Sequence, residues 1–185
     1  MNPSVFQLSR LEFRRAEIEA NTEYTPPEEK AAFPQLDFKF NKVKFELATA
    51  LDYPDKEIDD PRHFTVALKL SVRQSSQSEG VILPYSVTIE GTAYLYYRGS
   101  ETGLKRFQFV RGTGYLMLYG AFREYVANFT ARSSHGLWLL PSPAFDKRVQ
   151  EDAPYDLEKW ERRKEELAKP APQEKKRRAK VSKNS

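Results

Sequence analysis

The chain has 185 residues, of which 39% are hydrophobic and 13% aromatic, so one domain can bury a substantial core. It contains no cysteine, which excludes disulfides and cysteine-based metal or thiol chemistry. The formal charge of +4 is confined to the end of the chain, because residues 158–185 hold 11 Lys or Arg against five Asp or Glu, and residues 1–157 hold 19 against 21. A globular nucleic-acid-binding domain, which carries its basic patch on the folded surface, is therefore not expected.

The first predicted element is a strand from Phe6 to Ala20. Its apolar positions change parity twice: they are even, then odd, then even again at Phe6, Leu8, Leu11, Phe13 and Ile18. Such changes indicate either a bulge or a strand that crosses between environments. Residues 21–34 carry turn-forming residues and three prolines, so we predict a loop there. Tyr24 and Phe33 are the aromatic residues of this loop.

Three more strands are predicted. The second begins at Leu36 and alternates apolar and polar residues as far as Leu47, with a break of phase at residues 41–42. Residues 52–62 form an acidic turn, residues 64–72 alternate without interruption, and a fourth strand or hairpin spans Ile82 to Tyr97. Because short turns cannot make parallel crossovers, the sheet is predicted to be antiparallel.

An amphipathic helix is predicted next, opening at Gly114 and ending before Gly136, where a left-handed residue can close it. One face carries large side chains at helical spacing: Tyr115, Leu118, Tyr119, Phe122, Tyr125, Val126 and Phe129. Asp156 is expected to cap a shorter charged helix that reaches about Ala168. The residues after this helix have almost nothing to bury, so we expect disorder there.

The predicted fold class is α+β, a four-stranded antiparallel sheet with a long amphipathic helix and a shorter C-terminal helix. We expect one domain over residues 1–150, followed over residues 151–185 by the charged helix and the basic tail. No basic segment followed by an apolar run opens the chain, and no 18-residue apolar span occurs in it. The chain is therefore expected to be cytoplasmic and not inserted in a membrane.

The sequence gives little support for catalysis. Its two histidines are His63 and His135, and the second follows Ser133 and Ser134, but adjacency in sequence is not the geometry of a catalytic triad. Two histidines without cysteine do not make a structural zinc site, and residues 112–114 lack the signature of a nucleotide loop. We expect no enzymatic activity, no metal and no cofactor.

Three short stretches carry a family resemblance. They are Phe6-Gln7-Leu8-Ser9-Arg10 running to Ile18-Glu19-Ala20, then Thr88-Ile89-Glu90-Gly91, and then Phe122-Arg123-Glu124 followed by Arg132 and Phe145-Asp146. The first stretch resembles the opening and the end of the first strand of the SecB export-chaperone family, and the second resembles the end of the family's last strand. The third resembles the family's ARE triplet, its later arginine and its Asn-Phe-Asp exit. The chain is similar to a divergent SecB-like protein.

The resemblance implies an ATP-independent chaperone, a holdase that binds unfolded or non-native polypeptides in long apolar grooves. It implies the fold predicted above, assembled as a dimer of dimers, so we expect a homotetramer. The loop between the first two strands borders the groove in this family. The expected client-binding residues are Phe13, Ile18, Tyr24, Phe33, Phe38, Leu118 and Phe122. For Phe13, Phe38 and Phe122, a place in the ordinary core is an equal alternative.

The sequence departs from the family where the family contacts the translocation motor SecA. That contact uses acidic residues of the sheet and a short zinc-binding tail. Here Arg15 stands at an acidic position, Glu19 is retained, and the tail is long, basic and free of cysteine. These departures predict weak or no SecA binding, and an antitoxin of a toxin–antitoxin system fits as the client at least as well as an exported protein.

Two other classes of function remain open. One is an oligomeric scaffold, and the other is a nucleic-acid-associated protein that acts through the basic run Lys175-Lys176-Arg177-Arg178. Because that run has no interleaved aromatic residues to stack on bases, nucleic acid is not the expected partner. Tyr94, Tyr96 and Tyr97 fit either client recognition or a subunit interface.

Overall fold

The computed structural model describes residues 4–27, 35–36, 38–40, 43–74 and 82–169. In these ranges the chain forms four strands and two long helices, and a 3-10 turn at Asp55–Glu57 lies between the second and third strands. They are β1 (Phe6–Ala20), β2 (Phe45–Asp52), β3 (His63–Val72), β4 (Tyr85–Tyr97), α1 (Gly103–Thr130) and α2 (Asp146–Ala168). The strands form one antiparallel sheet in the order β1-β4-β3-β2. The predicted α+β class, with this sheet and these two helices, is confirmed.

The core lies between one face of the sheet and α1. Every second residue of β3 from Phe64 to Val72 is buried, and the residues opposite them on β4 are buried as well. Leu118 and Phe122 of α1 complete this layer. At Gly91 a Cβ would lie 2.8 Å from the Phe122 ring, so the missing side chain lets α1 approach β4 closely.

The predicted bulges in β1 are confirmed. The register of β1 on β4 shifts between Leu8 and Arg10 and again between Phe13 and Arg15. Each shift inserts one residue and so reverses the parity of the residues that follow. The shifts keep the apolar side chains of β1 on the helix side of the sheet despite their changing positions in the sequence.

The predicted start of the long helix at Gly114 is wrong. Helix α1 begins at Gly103, where the backbone φ is +54°, and its first turns are held by the buried Phe107 and Val110. Gly114 is buried within the helix, where a Cβ would come within 2.8 Å of Val66. This glycine therefore serves close packing rather than a helix start. Gly136 is left-handed as expected, with a φ of +83°, but it does not close the helix, because α1 ends at Thr130 with Ala131 as its right-handed C-cap.

The predicted start of the second helix at Asp156 is also wrong, because α2 begins at Asp146 and continues through Pro154. Asp156 lies in the middle of the helix, where it is buried and paired with Arg111. Proline normally interrupts a helix, but the buried Ala153 and Asp156 fix the backbone on both sides of it. The expected division after residue 150 falls within α2 and stays a prediction.

The second strand is shorter than predicted, since β2 begins at Phe45 rather than at Leu36, and β4 begins at Tyr85 rather than Ile82. The N–H of Leu36 bonds to the carbonyl of Leu137 at 2.8 Å. Alternation before residue 41 therefore reflects packing on the segment after α1 instead of a place in the sheet. Residues 28–34, which include Phe33, and residues 170–185 lie outside the described residues, so the expectations for them stay predictions.

Candidate functional site

Six rings form a continuous cluster where the segment after β1 and the segment before β2 meet the segment after α1. We call it the loop aromatic cluster; it comprises Tyr24, Phe38, Phe40, Tyr85, His135 and Trp138. Phe40 stacks on Trp138 at 5.4 Å between ring centroids, and Phe38 meets the same indole edge-on at 6.0 Å. Tyr85 lies 5.8 Å from Trp138 and 5.5 Å from His135, whose ring meets Tyr24 at 5.1 Å.

Hydrogen bonds hold the cluster in place. The Tyr85 hydroxyl accepts the backbone N–H of His135 and donates to the carbonyl of Gly136, both at 3.0 Å. The Nε2 of His135 donates to the carbonyl of Asn21 at 2.9 Å, which brings the end of β1 to the segment after α1. Burial raises the pKa of Tyr85 and outweighs its two backbone hydrogen bonds, so the hydroxyl stays neutral.

The cluster has a buried floor and a half-exposed rim. Trp138 and Tyr85 are fully buried, whereas Tyr24, Phe38 and Phe40 keep part of their surface in solvent. Aromatic rings present large apolar area with little conformational entropy to lose. The rim can therefore accept apolar side chains of a partner without demanding a particular sequence.

A second apolar surface, the edge strip, lies beside the free edge of β1. It consists of Leu8 and Phe13 of β1 and Tyr125 and Phe129 of α1, which are 38–47% exposed. Phe13 packs on Tyr125 at 5.3 Å and on Phe122 at 5.6 Å. In the described part of the chain, β1 pairs with β4 alone, so its other edge presents backbone groups as well as these side chains.

A third apolar surface, the helix groove, lies between the outer side of α1 and the start of α2. Its cavity of about 560 Å³ is lined mainly by Phe109, Gly112, Leu116, Phe145 and Val149. Phe109 and Leu116 are 48% and 57% exposed, which is unusual for large apolar side chains of a helix that also covers a core.

The seven residues expected at the client site do not lie in one place. Tyr24 and Phe38 belong to the loop aromatic cluster, and Phe33 lies outside the described residues. Leu118 and Phe122 are fully buried and have no surface to offer a ligand in this conformation, although Phe122 packs beneath Phe13. Ile18 lies half-buried opposite Val87, towards the Tyr85 end of β4.

Sequence reasoning missed several members of the cluster. Phe40 falls within the predicted second strand, and Trp138 carries no sequence prediction. His135 was considered only for catalysis with the neighbouring serines, whereas its ring links Tyr24 to Tyr85. The sequence signal for these contacts is the density of large apolar residues in the segment before β2 and in the segment after α1, which indicates that the two segments pack on one another.

The residues expected to contact a motor lie on the sheet face opposite the helices. Arg15 donates two hydrogen bonds to the carboxylate of Glu17, at 2.8 and 2.7 Å. Glu19 lines a shallow cavity with Glu17 and Arg73. The carboxylates of this region are thus accompanied by two arginines, and the local charge is close to balanced.

The three tyrosines near the end of β4 have different environments. Tyr97 is buried, while the hydroxyl of Tyr94 donates to Glu12 at 3.1 Å. Tyr96 lies against the ring of His63 at 4.7 Å. Only Tyr94 and Tyr96 therefore keep surface for a partner.

His135 and Ser133 do not form a catalytic pair, and the Nδ1 of His63 bonds to the carboxylate of Glu57 at 2.7 Å. Ser133 donates to the carbonyl of Phe129 and His135 to that of Asn21, so the two side chains have separate partners. Nowhere in residues 4–27, 35–36, 38–40, 43–74 and 82–169 do three or more His, Cys, Asp or Glu residues gather in a way that could hold a metal ion. Neither of the described helices combines the length and apolar character needed to cross a bilayer.

The chain shows a structural likeness to known proteins. No family model matches the chain, and no curated protein matches it by sequence. Among solved structures, the chain is similar to a SecB-like chaperone of Mycobacterium tuberculosis in complex with a ChAD peptide from the HigA1 antitoxin, with a TM-score of 0.48 and 19% identity. The likeness covers 75% of this chain and 90% of that one. A likeness at this identity does not establish what the present chain binds.

Proposed function

We propose that this chain is an ATP-independent chaperone that holds unfolded or non-native polypeptides, and that it is a binding protein rather than an enzyme. The observation that carries the proposal is the loop aromatic cluster, with half-exposed rings above a rigid buried floor. The motifs that resemble those of SecB-like chaperones support it independently, because they consist of residues outside the cluster.

The physical basis of holding is burial of client side chains. Each apolar side chain that leaves water against the rim contributes about 25 cal/mol per Å² before the cost of ordering the client. One such contact is weak, but several contacts along one flexible client raise the overall affinity through effective concentration. A repeated rim in an oligomer would supply those contacts.

We assign the client contact to the rim residues Tyr24, Phe38 and Phe40. Phe33, which belongs to the same loop by sequence, stays a proposed contact, and Ile18 is proposed to border the site. Leu118 and Phe122 support the structure from below. Phe13 is assigned to assembly instead, because its exposed face belongs to the edge strip.

The proposed assembly is a homotetramer, a dimer of dimers. Such an assembly needs two different self-complementary surfaces on each subunit. The edge strip and the helix groove are two separate exposed apolar surfaces that meet this requirement. Two copies of β1 would pair along their free edges, and two copies of α1 would pack through Phe109 and Leu116.

The charges of β1 favour antiparallel self-pairing. Arg10, Arg14 and Arg15 lie in its first and middle parts, where Glu12 is paired with Arg10, and Glu17 and Glu19 follow in its last part. When a second copy runs in the opposite direction, the basic part of one strand lies near the acidic part of the other. Opposite charges across a strand pair contribute modestly to stability and help fix the register.

The proposed partners follow from the sheet face and the tail. Since Arg15 neutralises Glu17, we expect SecA to bind weakly or not at all. A dedicated antitoxin client is the second candidate, favoured by the same loss of an acidic motor contact. A chaperone for exported proteins and a chaperone for an antitoxin would both act in the cytoplasm, and neither requires the basic tail to bind nucleic acid.

Aggregation of a denatured model enzyme, followed by light scattering, tests the proposal. We expect the wild-type chain to suppress aggregation and the variant Tyr24→Ala/Phe38→Ala to lose most of that activity at an unchanged oligomeric state. Tyr155→Ala is the matched control, because Tyr155 is an exposed aromatic residue of α2, 61% accessible, away from the cluster. A chain that ends at residue 169 should remain active.

Three results would contradict the proposal in different ways. Full activity of the double variant would remove the cluster as the site. Absence of activity in the wild-type chain would favour the scaffold. Activity that is lost only when residues 170–185 are removed would favour capture of the client by the charge of the basic tail.

A further inference from the structure

The floor of the loop aromatic cluster contains a hydrogen-bond donor without an acceptor. Trp138 is 0% exposed, and its Nε1 has no hydrogen-bond partner among the described residues. The other tryptophan, Trp160, is satisfied, because its Nε1 donates to the carbonyl of Ile58 at 2.6 Å. Buried donors are satisfied in the great majority of cases, so an exception at a candidate binding site requires a physical explanation.

The indole cannot easily turn to find an acceptor elsewhere. The backbone N–H of Trp138 donates to Oγ1 of Thr130 at 2.9 Å, and that hydroxyl donates to the carbonyl of Val126 at 2.7 Å. The ring is packed between Phe40 and Tyr85 at 5.4 and 5.8 Å. The bond to Thr130 and the contact with the buried Tyr85 ring thus hold the donor in one place beneath the rim without help from Phe40.

We propose that the indole N–H of Trp138 donates a hydrogen bond to a backbone carbonyl of the bound polypeptide. This inference rests on the proposed function and adds the polar contact that its apolar site lacks. The rings of Phe38 and Phe40, which cover the indole and are themselves half-exposed, shift aside as client side chains take their place. The client carbonyl then reaches Nε1 between the displaced rings.

A backbone carbonyl is the acceptor that suits a chaperone. Indole is a neutral donor that cannot accept, so it recognises an acceptor without selecting for charge. Every residue of an extended client carries such a carbonyl, and a disordered chain has many that are not paired internally. The contact would therefore fix the position of a client segment at the rim without restricting its sequence.

The test follows the two indole signals directly. Protein labelled with ¹⁵N-tryptophan shows one N–H resonance for each indole, and the variant Trp160→Phe assigns them by difference. The probe is a short synthetic peptide of Phe, Leu, Ser and Lys without stable structure. On saturation with this peptide we expect the Trp138 N–H proton to move downfield and its exchange with solvent to slow, while the Trp160 signal stays in place.

A variant tests the same contact through affinity. Trp138→Phe keeps an aromatic ring but removes the donor, and we expect it to bind the peptide about threefold to tenfold more weakly, as loss of one hydrogen bond would give. Trp160→Phe is the matched control; it breaks an existing bond far from the rim and should leave the affinity unchanged.

The outcomes separate this inference from the function on which it rests. Peptide binding that leaves the Trp138 indole signal unmoved would overturn the inference and leave the chaperone proposal standing. Absence of peptide binding, together with absence of aggregation suppression, would overturn both. The measurement on the wild-type chain remains decisive even if Trp138→Phe fails to fold.

Discussion

Replacement of Asp156 by alanine is predicted to destabilise the protein severely. Asp156 accepts two hydrogen bonds from Arg111, at 2.6 and 2.7 Å, and the two residues are only 2% and 4% exposed. Arg111 also bonds to the hydroxyl of Tyr115 at 2.7 Å, which donates to Asp152 at 2.5 Å. These contacts join α2 to α1, so removal of Asp156 leaves a buried guanidinium without its main counter-charge.

The size of the effect distinguishes two descriptions of this residue. Breaking one side of a buried ion pair costs about 3–5 kcal/mol. Loss of a helix N-cap, the role that the sequence suggested for Asp156, costs about 1 kcal/mol. For a chain of this length the larger value lowers the Tm by about 6–20 °C, whereas the smaller lowers it by about 2–4 °C.

Thermal and urea unfolding followed by circular dichroism measures the difference. Lys147→Ala is the control, since its pair with Glu151 is exposed and long at 3.9 Å and should contribute less than about 1 kcal/mol. The double variant Arg111→Met/Asp156→Leu should recover much of the loss, because two apolar side chains remove both buried charges together. If Asp156→Ala unfolds within about 1 kcal/mol of the wild type, the described docking of α2 on α1 is wrong.

Three further predictions concern packing, acid stability and assembly. Gly114→Ala should destabilise by about 1–3 kcal/mol in urea unfolding, because the new Cβ would lie 2.8 Å from Val66; the stabilisation expected from helix propensity alone would contradict this contact. Burial raises the pKa of Asp152, but hydrogen bonds from Tyr115 and Thr49 and the charge of Arg111 outweigh it and hold the pKa below its usual range. The stabilisation from Asp152 is therefore complete above its unfolded pKa of about 3.9 and is lost as the pH falls through the lower folded value. Unfolding measured at several pH values should show that Asp152→Asn removes this contribution to the acid-dependent loss of stability. Leu116→Glu should convert a tetramer to a dimer in sedimentation, whereas Tyr155→Glu should not, and an unchanged tetramer would exclude the helix groove as an interface.

Alternation of apolar and polar residues predicted β1 and β3 well, because the buried face of a strand can be recognised from neighbouring residues in the sequence. The parity changes in β1 predicted both bulges, and the alternation of residues 64–72 predicted β3 to within one residue. The predicted starts of both helices were wrong, because glycine and aspartate occur at helix starts but also serve in close packing and in buried ion pairs. Gly114 permits close packing on Val66 and Asp156 pairs with Arg111, and both partners are distant in sequence.

The candidate site was predictable only in part for the same reason. Tyr24, an aromatic residue of the predicted loop, and Phe38, for which the core was an equal alternative, were expected to contact the client, and the structure places both in one cluster. Their link runs through His135, Tyr85 and Trp138, which belong to two other segments of the chain. A sequence does not show which aromatic residues of separate segments meet, so Leu118 and Phe122 were also expected at the client site, although the packing of α1 on the sheet buries them, as the core alternative for Phe122 allowed.

Site-specific photocrosslinking tests the central claim most directly. Benzoylphenylalanine placed at position 24 or 38 would lie on the rim, and at position 155 it would lie on an exposed part of α2 away from the cluster. Each variant is irradiated with a permanently unfolded model protein and, in parallel, with the same protein in its native state. We expect crosslinks from positions 24 and 38 to the unfolded form alone, and few from position 155. Equal yields from all three positions, or equal capture of the native form, would contradict this claim.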